Sequence, residues 1–249
     1  MALLAWWLTE KQKARVAVLD LDAQKNLSHT LAHHRHQLTA AQLFGAGLAA
    51  SDMRSSGLCL FPGETELADL ERASTQAIRN FQNNVAHLSQ HFDYCLIDTP
   101  AGLGLRMTAA LVAADYVLCP FELEEYSMDA VMVMIKTILG VRQRHNPRLK
   151  FLGLLANRFN PHSVGQREAL QALLTTYRQY AIPAKISTHS AIPEALSQRK
   201  PLWRLPKASA RQAAAEFYMV FELLLERMRV QAQPRTGATP APSTQTPNA

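Results

Sequence analysis

Three aspartates stand where chemistry could be done. Phe92-Asp-Tyr-Cys-Leu-Ile-Asp98 is an apolar run that ends in a carboxylate, and the turn-forming loop Thr99-Pro-Ala-Gly-Leu-Gly104 follows at once. Earlier in the chain, Arg15-Val-Ala-Val-Leu-Asp20 is a second branched run ending in aspartate, with Asp22 two residues on. Runs this short, bounded by turn formers, predict buried strands rather than helices. Open parallel sheets bind ligands outside the carboxyl ends of their strands, so two strands tipped with aspartate predict one shared site at that edge. A carboxylate there can hold Mg²⁺ through its water shell beside a nucleotide triphosphate, because Mg²⁺ takes hard oxygen ligands and gives up its waters reluctantly. The plainer alternative is an Asp that caps a strand end or opens a turn.

The elements that must position these residues alternate in type. Ala2 to Lys13 reads as an amphipathic helix with Leu3, Leu4, Trp7 and Leu8 on one face. After the first strand come a helix from about Gln24 to His34 and another around Ala40 to Phe44. Gly57-Leu-Cys-Leu-Phe61-Pro-Gly63 is a strand closed by turn residues, and Glu64 to Ser89 is helical and rich in i, i+4 charge pairs. Beyond Asp98 the expected order is helix Arg106 to Ala114, strand Asp115 to Pro120, helix Ser127 to Arg142 with a buried stripe of Val131, Met134, Ile135 and Ile138, and strand Lys150 to Asn157. Helix Gln166 to Tyr180, strand Ile182 to Ile186, a short helix Ile192 to Ser197 and a long helix Ala208 to Val230 complete it. Strands alternating with helices predict an α/β fold, a mostly parallel sheet with helices on both faces. From Gln231 the chain turns Pro/Thr/Ala-rich, without an acidic residue or periodicity, and reads as a disordered tail.

Composition narrows the classes. The 48% apolar content of these 249 residues suits one large α/β domain or two small ones. No apolar run approaches the ~20 residues that span a bilayer, and Ala2 to Leu8 lacks the basic flank and cleavage site of a signal peptide. Cys59, Cys95 and Cys119 lie in apolar strand-like runs without metal-ligand spacing, as expected of buried reduced thiols in a cytosolic protein. His29, His33, His34 and His36 place two imidazoles at i, i+4, but no acidic residue or cysteine completes a metal site, and a solvated polar face explains them as well. A net charge of +6 and a pI near 9.4 suit a polyanionic partner.

Taken together, the motifs resemble those of the ParA/MinD deviant Walker ATPases, most closely the plasmid partition members. Asp20-Leu-Asp-Ala-Gln-Lys-Asn26 resembles the family's D-x-D-x-Q-x-N segment, and Asp93 to Gly104 its Walker B strand and switch II. Ala113 to Pro120 with Glu122 to Ser127 is similar to its next strand and loop; Ile192-Pro-Glu-Ala195 and Lys200-Pro201 are similar to its short helix and following turn. The resemblance covers residues 1 to 228, with 1–230 as the ATPase domain and 231–249 as the tail. It implies that Asp22 orients the attacking water, that Asp20 stands beside the magnesium shell, and that Asp98 binds Mg²⁺ through water. Thr99 to Gly104 would sense the γ-phosphate and Asn157 would touch the adenine. The implied cofactors are ATP and Mg²⁺. The implied function is segregation of plasmid or chromosomal DNA by an ATP-dependent homodimer with a ParB-type partner, in the cytoplasm on the nucleoid.

One part of the pattern is missing. The family's Gly-rich K-G-G-x-G-K-[ST] loop, whose N–H groups and lysines cradle the phosphates, has no match here. Gly45-Ala-Gly47 and Gly102-Leu-Gly104 lack the lysine and the strand-loop-helix context. The expectation is that Met1 is an internal methionine and that the first strand and loop lie upstream. The alternative is a degenerate or truncated relative without ATPase activity, an interaction or DNA-binding module. In either case the chain as written should bind ATP poorly and expose unpaired strand edges.

Arg199, Lys200, Arg204, Lys207 and Arg211 fall in a thirteen-residue stretch with no acid. By resemblance this is the surface for nonspecific DNA, working through phosphate contacts and counterion release; the alternative is a solvated loop. Trp203, bracketed by prolines, reads as a packing residue. A membrane-cycling role would need an amphipathic basic helix at the C-terminus, which the Pro-rich tail does not supply. An iron-protein-like reductase would need cysteines on exposed loops.

Overall fold

The computed structural model describes residues 1–48, 57–100, 102–123 and 127–232. Six strands form: β1 (Val16–Asp20), β2 (Leu58–Phe61), β3 (Tyr94–Asp98), β4 (Tyr116–Glu122), β5 (Lys150–Phe159) and β6 (Ala181–Ser187). Eight α-helices accompany them: α1 (Ala2–Glu10), α2 (Asn26–Thr30), α3 (Thr75–Leu88), α4 (Leu105–Ala113), α5 (Ser127–Arg144), α6 (Val164–Thr176), α7 (Ala191–Ser197) and α8 (Ala208–Ala232). Every described strand pair is parallel, as helical crossovers between consecutive strands require.

Period-two alternation sends each strand's side chains to two helical layers. Val16, Val18, Leu58, Leu60, Tyr94 and Leu96 pack with α1, α7 and α8. Ala17, Leu19, Cys59, Phe61, Cys95 and Ile97 pack with α3 and α4. Tyr116, Leu118, Leu152 and Leu155 join the first of these cores, so α1 and α8 cover all the strands on one face. Burying Trp6 and Trp7, 5% and 2% exposed, stabilises α1's seat by about 5 kcal/mol each before entropy, from ~200 Å² at ~25 cal/mol per Å².

The strands form two three-stranded parallel sheets, ordered β2-β1-β3 and β4-β5-β6, with the unpaired edges expected of a sheet that lacks a central strand. Among the described residues β3 pairs only with β1, and β4 only with β5. This shows in burial: β1 and β2 are buried throughout, whereas β3 is half-buried at every position and β4 nearly so. Cys59 is buried as expected, but Cys95 and Cys119 on the two unpaired edges are only half-buried.

Several local expectations are corrected. Helix α1 is apolar nearly all round, with Ala2, Leu3, Ala5, Trp6, Trp7 and Leu8 buried, because it packs on the strands and also against α8, where Trp7 meets Phe221 at 5.4 Å. The region expected to be helical over Gln24 to His34 is one short α-helix, then a 3-10 turn at Ala32–His34; Gln42–Phe44 is likewise a 3-10 turn. Glu64 to Ser89 divides into a 3-10 stretch, Thr65–Arg72, and α3, and no i, i+4 ion pair forms there among the described residues. Helix α6 ends at Thr176 rather than Tyr180, β5 runs two residues past Asn157, and α8 continues to Ala232. The rest of the expected tail lies outside the described residues. His36 stacks on Phe61 at 4.6 Å, and no group of three His, Cys, Asp or Glu side chains fit for a metal occurs among the described residues.

Candidate functional site

Strand register brings the aspartates together. Asp20 and Asp98 are directly opposed at the carboxyl ends of β1 and β3, and the Leu21 N–H donates to the Asp98 carbonyl at 2.9 Å, carrying the pairing one residue further. The chain then turns: the Gln24 N–H donates to Asp22 Oδ1 at 3.0 Å, and Lys25 adopts a left-handed φ of 60°. Asp22 is thus presented at the mouth of the two strands on a closed turn.

The three carboxylates differ in environment. Asp20 is fully buried. Its Oδ1 accepts from the Asp22 N–H at 3.1 Å, and its Oδ2 from the Ser28 N–H and hydroxyl at 2.8 and 2.6 Å. The Ser28 hydroxyl accepts in turn from the Gly63 N–H at 2.8 Å. A Cβ on Gly63 would stand 2.9 Å from the Asp22 carbonyl and 3.0 Å from that of Asp20, so glycine is required for this approach. Asp20 therefore ties β1, α2 and the β2 loop into one frame. Asp98 is the reverse case: among the described residues no hydrogen-bond donor reaches its carboxylate. Burial pushes its carboxyl above the ordinary range, the Met1 amino group opposes this, and Asp20 and Asp22 raise it further. A desolvated, unpartnered carboxylate facing two others fits a hydrated divalent cation.

Thr99 follows Asp98 directly and is half-buried; Ala101 in the same loop lies outside the described residues. The loop ends at Gly104, where α4 begins. Glu71, from the 3-10 stretch after β2, caps this helix from outside: its carboxylate accepts from the Leu105 N–H at 2.6 Å and from Arg106 Nε at 2.7 Å. A Cβ on Gly104 would lie 2.2 Å from Glu71 Oε2. Arg106 Nη1 donates to the Leu21 carbonyl at 2.8 Å, between Asp20 and Asp22. Partial desolvation would raise Glu71's carboxyl, but the bonds from Arg106 and Leu105 outweigh it and hold the group below its usual value. Glu71 and Arg106 thus join the two aspartate-bearing loops. Sequence reasoning missed this pair and Ser28; only Gly63 left a trace, as the end of Phe-Pro-Gly.

Asn157 lies in the second sheet, opposite Glu122 near the carboxyl end of β5. Its neighbour Arg158 has a φ of 52° and pairs with Glu122 at 3.0 Å. Residues 124–126 of the loop after β4 lie outside the described residues.

The basic stretch is less uniform in space than in sequence. Arg204 pairs with Glu10 at 2.6 Å and Lys207 with Glu194 at 2.6 Å, whereas Arg199, Lys200 and Arg211 are exposed and have no ion pair among the described residues. Trp203 packs on Tyr218 at 5.3 Å and donates to Glu10 at 2.7 Å, a packing residue as expected.

A family model described as an AAA domain matches residues 2–151. Over 227 residues the chain is 38% identical to protein IncC of Escherichia coli, covering 87% of this chain and 62% of IncC. It is 27% identical over 232 residues to a ParA family protein of Chlamydia muridarum, with 89% of each covered. Among solved structures, an ATP complex of Cyanothece McdA superposes with a TM-score of 0.76 at 23% identity over 90% of each chain, a likeness of fold. The chain spans about three-fifths of the length of the IncC proteins it matches. With a family match over more than half its length and two aspartate-tipped parallel strands at one sheet edge, the chain belongs to the ParA/MinD family of P-loop ATPases.

Proposed function

We propose that the chain is a ParA-like partition ATPase that segregates plasmid or chromosomal DNA. It works as a homodimer formed around ATP and Mg²⁺, holds nonspecific DNA on the nucleoid, and lets go when a ParB-type partner stimulates hydrolysis. The observation that carries this reading is the opposed pair Asp20 and Asp98 with Asp22 beside it, joined by a short loop to α4. The likeness to IncC and to a ParA family protein supports the partition role. McdA, solved with ATP, supports the nucleotide.

Bound Mg²⁺ and ATP supply an electrophilic phosphoryl group, and its transfer to water is mainly a matter of positioning and charge neutralisation. Asp98 would hold the cation's water shell, a role suited to a desolvated carboxylate that no hydrogen-bond donor reaches among the described residues. Asp22, whose Oδ1 is held by the Gln24 N–H and whose Oδ2 is left for a further donor, would orient the attacking water. Asp20 lines the magnesium side and keeps β1 and α2 in register through Ser28. Thr99 to Gly104 responds to the terminal phosphate, Asn157 meets the base, and Arg199, Lys200, Arg204, Lys207 and Arg211 contact DNA phosphates. The 249 residues contain no Gly-rich lysine loop, so alone they should bind the triphosphate weakly. The second reading is a module that binds DNA or partners without hydrolysis, for which a net charge of +6 is the supporting feature.

Replicon loss separates the two readings. Asp22→Ala or Asp98→Ala in the native gene should raise loss of its replicon to the rate of random segregation. Loss that stays at the wild-type rate in both variants overturns the ATPase reading.

A further inference from the structure

A second basic surface lies at the other end of the molecule. Arg142 to Lys150, Arg-Gln-Arg-His-Asn-Pro-Arg-Leu-Lys, holds four Lys or Arg residues and no acid. It forms the end of α5, a turn and the first residue of β5. The turn is rigid: Asn146, 8% exposed, donates through Nδ2 to the carbonyls of Leu111 and Ala114 at 3.0 and 2.7 Å. Leu149 is buried beneath it, and its N–H donates to the Asn146 carbonyl at 3.0 Å. A groove of about 680 Å³ opens here, lined by Tyr116, Arg142, Pro147, Arg148 and Lys150, with Asp115 its single carboxylate. Lys150 is already committed, donating to the Gln231 carbonyl and lying 5.5 Å from the Tyr116 ring centroid.

Arg142, Arg144 and Arg148 are exposed, and among the described residues none has a carboxylate within ion-pairing distance. The stretch from Arg199 to Arg211 behaves differently, since Glu10 and Glu194 neutralise two of its five cations. Helix α8 runs between the two places: Lys207 immediately precedes it, and Gln231 near its end meets Lys150. At 1.5 Å per residue its 25 residues separate them by about 37 Å. Three exposed guanidinium groups carried along one turn, two of them lining the groove and Arg144 outside it, suit a repeating polyanion that can meet each in succession.

We infer that the turn Arg142–Lys150 is a DNA-backbone contact surface, binding phosphodiesters of any sequence through Arg142, Arg144 and Arg148. It rests on the DNA-binding part of the proposed function and adds to it a surface that the family resemblance does not assign. Such contacts position the duplex without reading bases.

The test is fluorescence anisotropy of the full chain with a short labelled DNA duplex of mixed sequence, titrated between about 50 and 200 mM salt. Three proteins are compared: wild type, the triple variant Arg142→Gln/Arg144→Gln/Arg148→Gln, and a charge-matched control, Lys11→Gln/Arg72→Gln/Arg178→Gln, altered at exposed sites elsewhere. Circular dichroism and thermal unfolding verify that all three fold. At ~0.9 per phosphate contact, the salt slope should fall by about two to three in the triple variant and stay near wild type in the control. Wild-type binding with equal slopes in all three proteins overturns this inference and leaves the proposed function standing. A wild type that binds no DNA even at about 50 mM salt overturns this inference, because backbone contacts of this kind need no nucleotide, and leaves ATP-dependent DNA binding standing. Loss of binding to phosphatidylserine vesicles, without loss of DNA binding, assigns the surface to a membrane and overturns the inference as well.

Discussion

Glu71 is the sharpest test of how the two loops of the site are held. Glu71→Ala removes two short hydrogen bonds, to the Leu105 N–H and to Arg106 Nε. It leaves the Arg106 side chain, 11% exposed, with the Leu21 carbonyl as its remaining partner. Hydrogen bonds to charged groups are worth ~1.5–3 kcal/mol net, but Glu71 is about a third exposed, and water takes over part of its role; the expected loss is about 2 kcal/mol. The assay is urea unfolding of wild type, Glu71→Ala, Arg106→Ala and the double variant, with a coupling energy of about 1 kcal/mol or more expected. Gly104→Ala supplies an internal control. Its φ of −153° is open to any residue, so the clash with Glu71 is the reason for a penalty there. Gly104→Ala should therefore destabilise the wild type and be nearly neutral in the Glu71→Ala background. Amides of residues 102–108 should exchange faster in Glu71→Ala while those of β1 do not. Additive effects within ~0.5 kcal/mol, with unchanged exchange, would refute the link.

Asp98→Asn should stabilise the protein at neutral pH without divalent cations, because the folded state holds the Asp98 proton more tightly than the unfolded chain. Its ionised form therefore loses stability as pH rises, and the variant's thermal midpoint should be the higher one and insensitive to Mg²⁺. Asp93 titrates at about 2 against an ordinary 3.8, held down first by hydrogen bonds from Arg15. Its contribution to stability is complete above 3.8 and fades as pH falls through about 2; Arg15→Gln should move its NMR titration up toward the ordinary value without reaching it, because the Arg15 N–H still donates to Asp93 Oδ2 at 2.8 Å. Burial pushes the Cys95 and Cys119 thiols up to about 12 and about 11. Neither should alkylate with iodoacetamide at pH 8 until urea unfolds the chain, as mass spectrometry will show.

The strands and their order were legible because short branched runs ended by Asp, Pro or Gly have few other ways to fold, and parallel pairing follows from the helices between them. The pairing of Asp20 with Asp98 was legible for the same reason: parallel strands end at one edge, whatever their register. Helix limits were less so. Phe81 and Val85 settle α3 by packing against the sheet, whereas the segment before it has too little apolar surface to extend past a 3-10 stretch.

What the sequence by itself determined is the layered α/β plan, the edge that bears the aspartates, and the basic character of the stretch from Arg199 to Arg211. These follow from local periodicity and composition, which are properties of the chain at short range. Tertiary structure decided the rest: that Asp20 is a buried frame while no donor reaches the Asp98 carboxylate among the described residues, that Glu71 reaches across to cap α4, that two cations of the C-terminal stretch are neutralised while Arg142, Arg144 and Arg148 meet no carboxylate among the described residues, and that the strands divide into two sheets. Each depends on which distant groups meet. Partners 34 residues apart, as Glu71 and Leu105 are, or 193 apart, as Glu10 and Trp203 are, leave no periodic signal, because only packing of the finished layers brings them within hydrogen-bond reach.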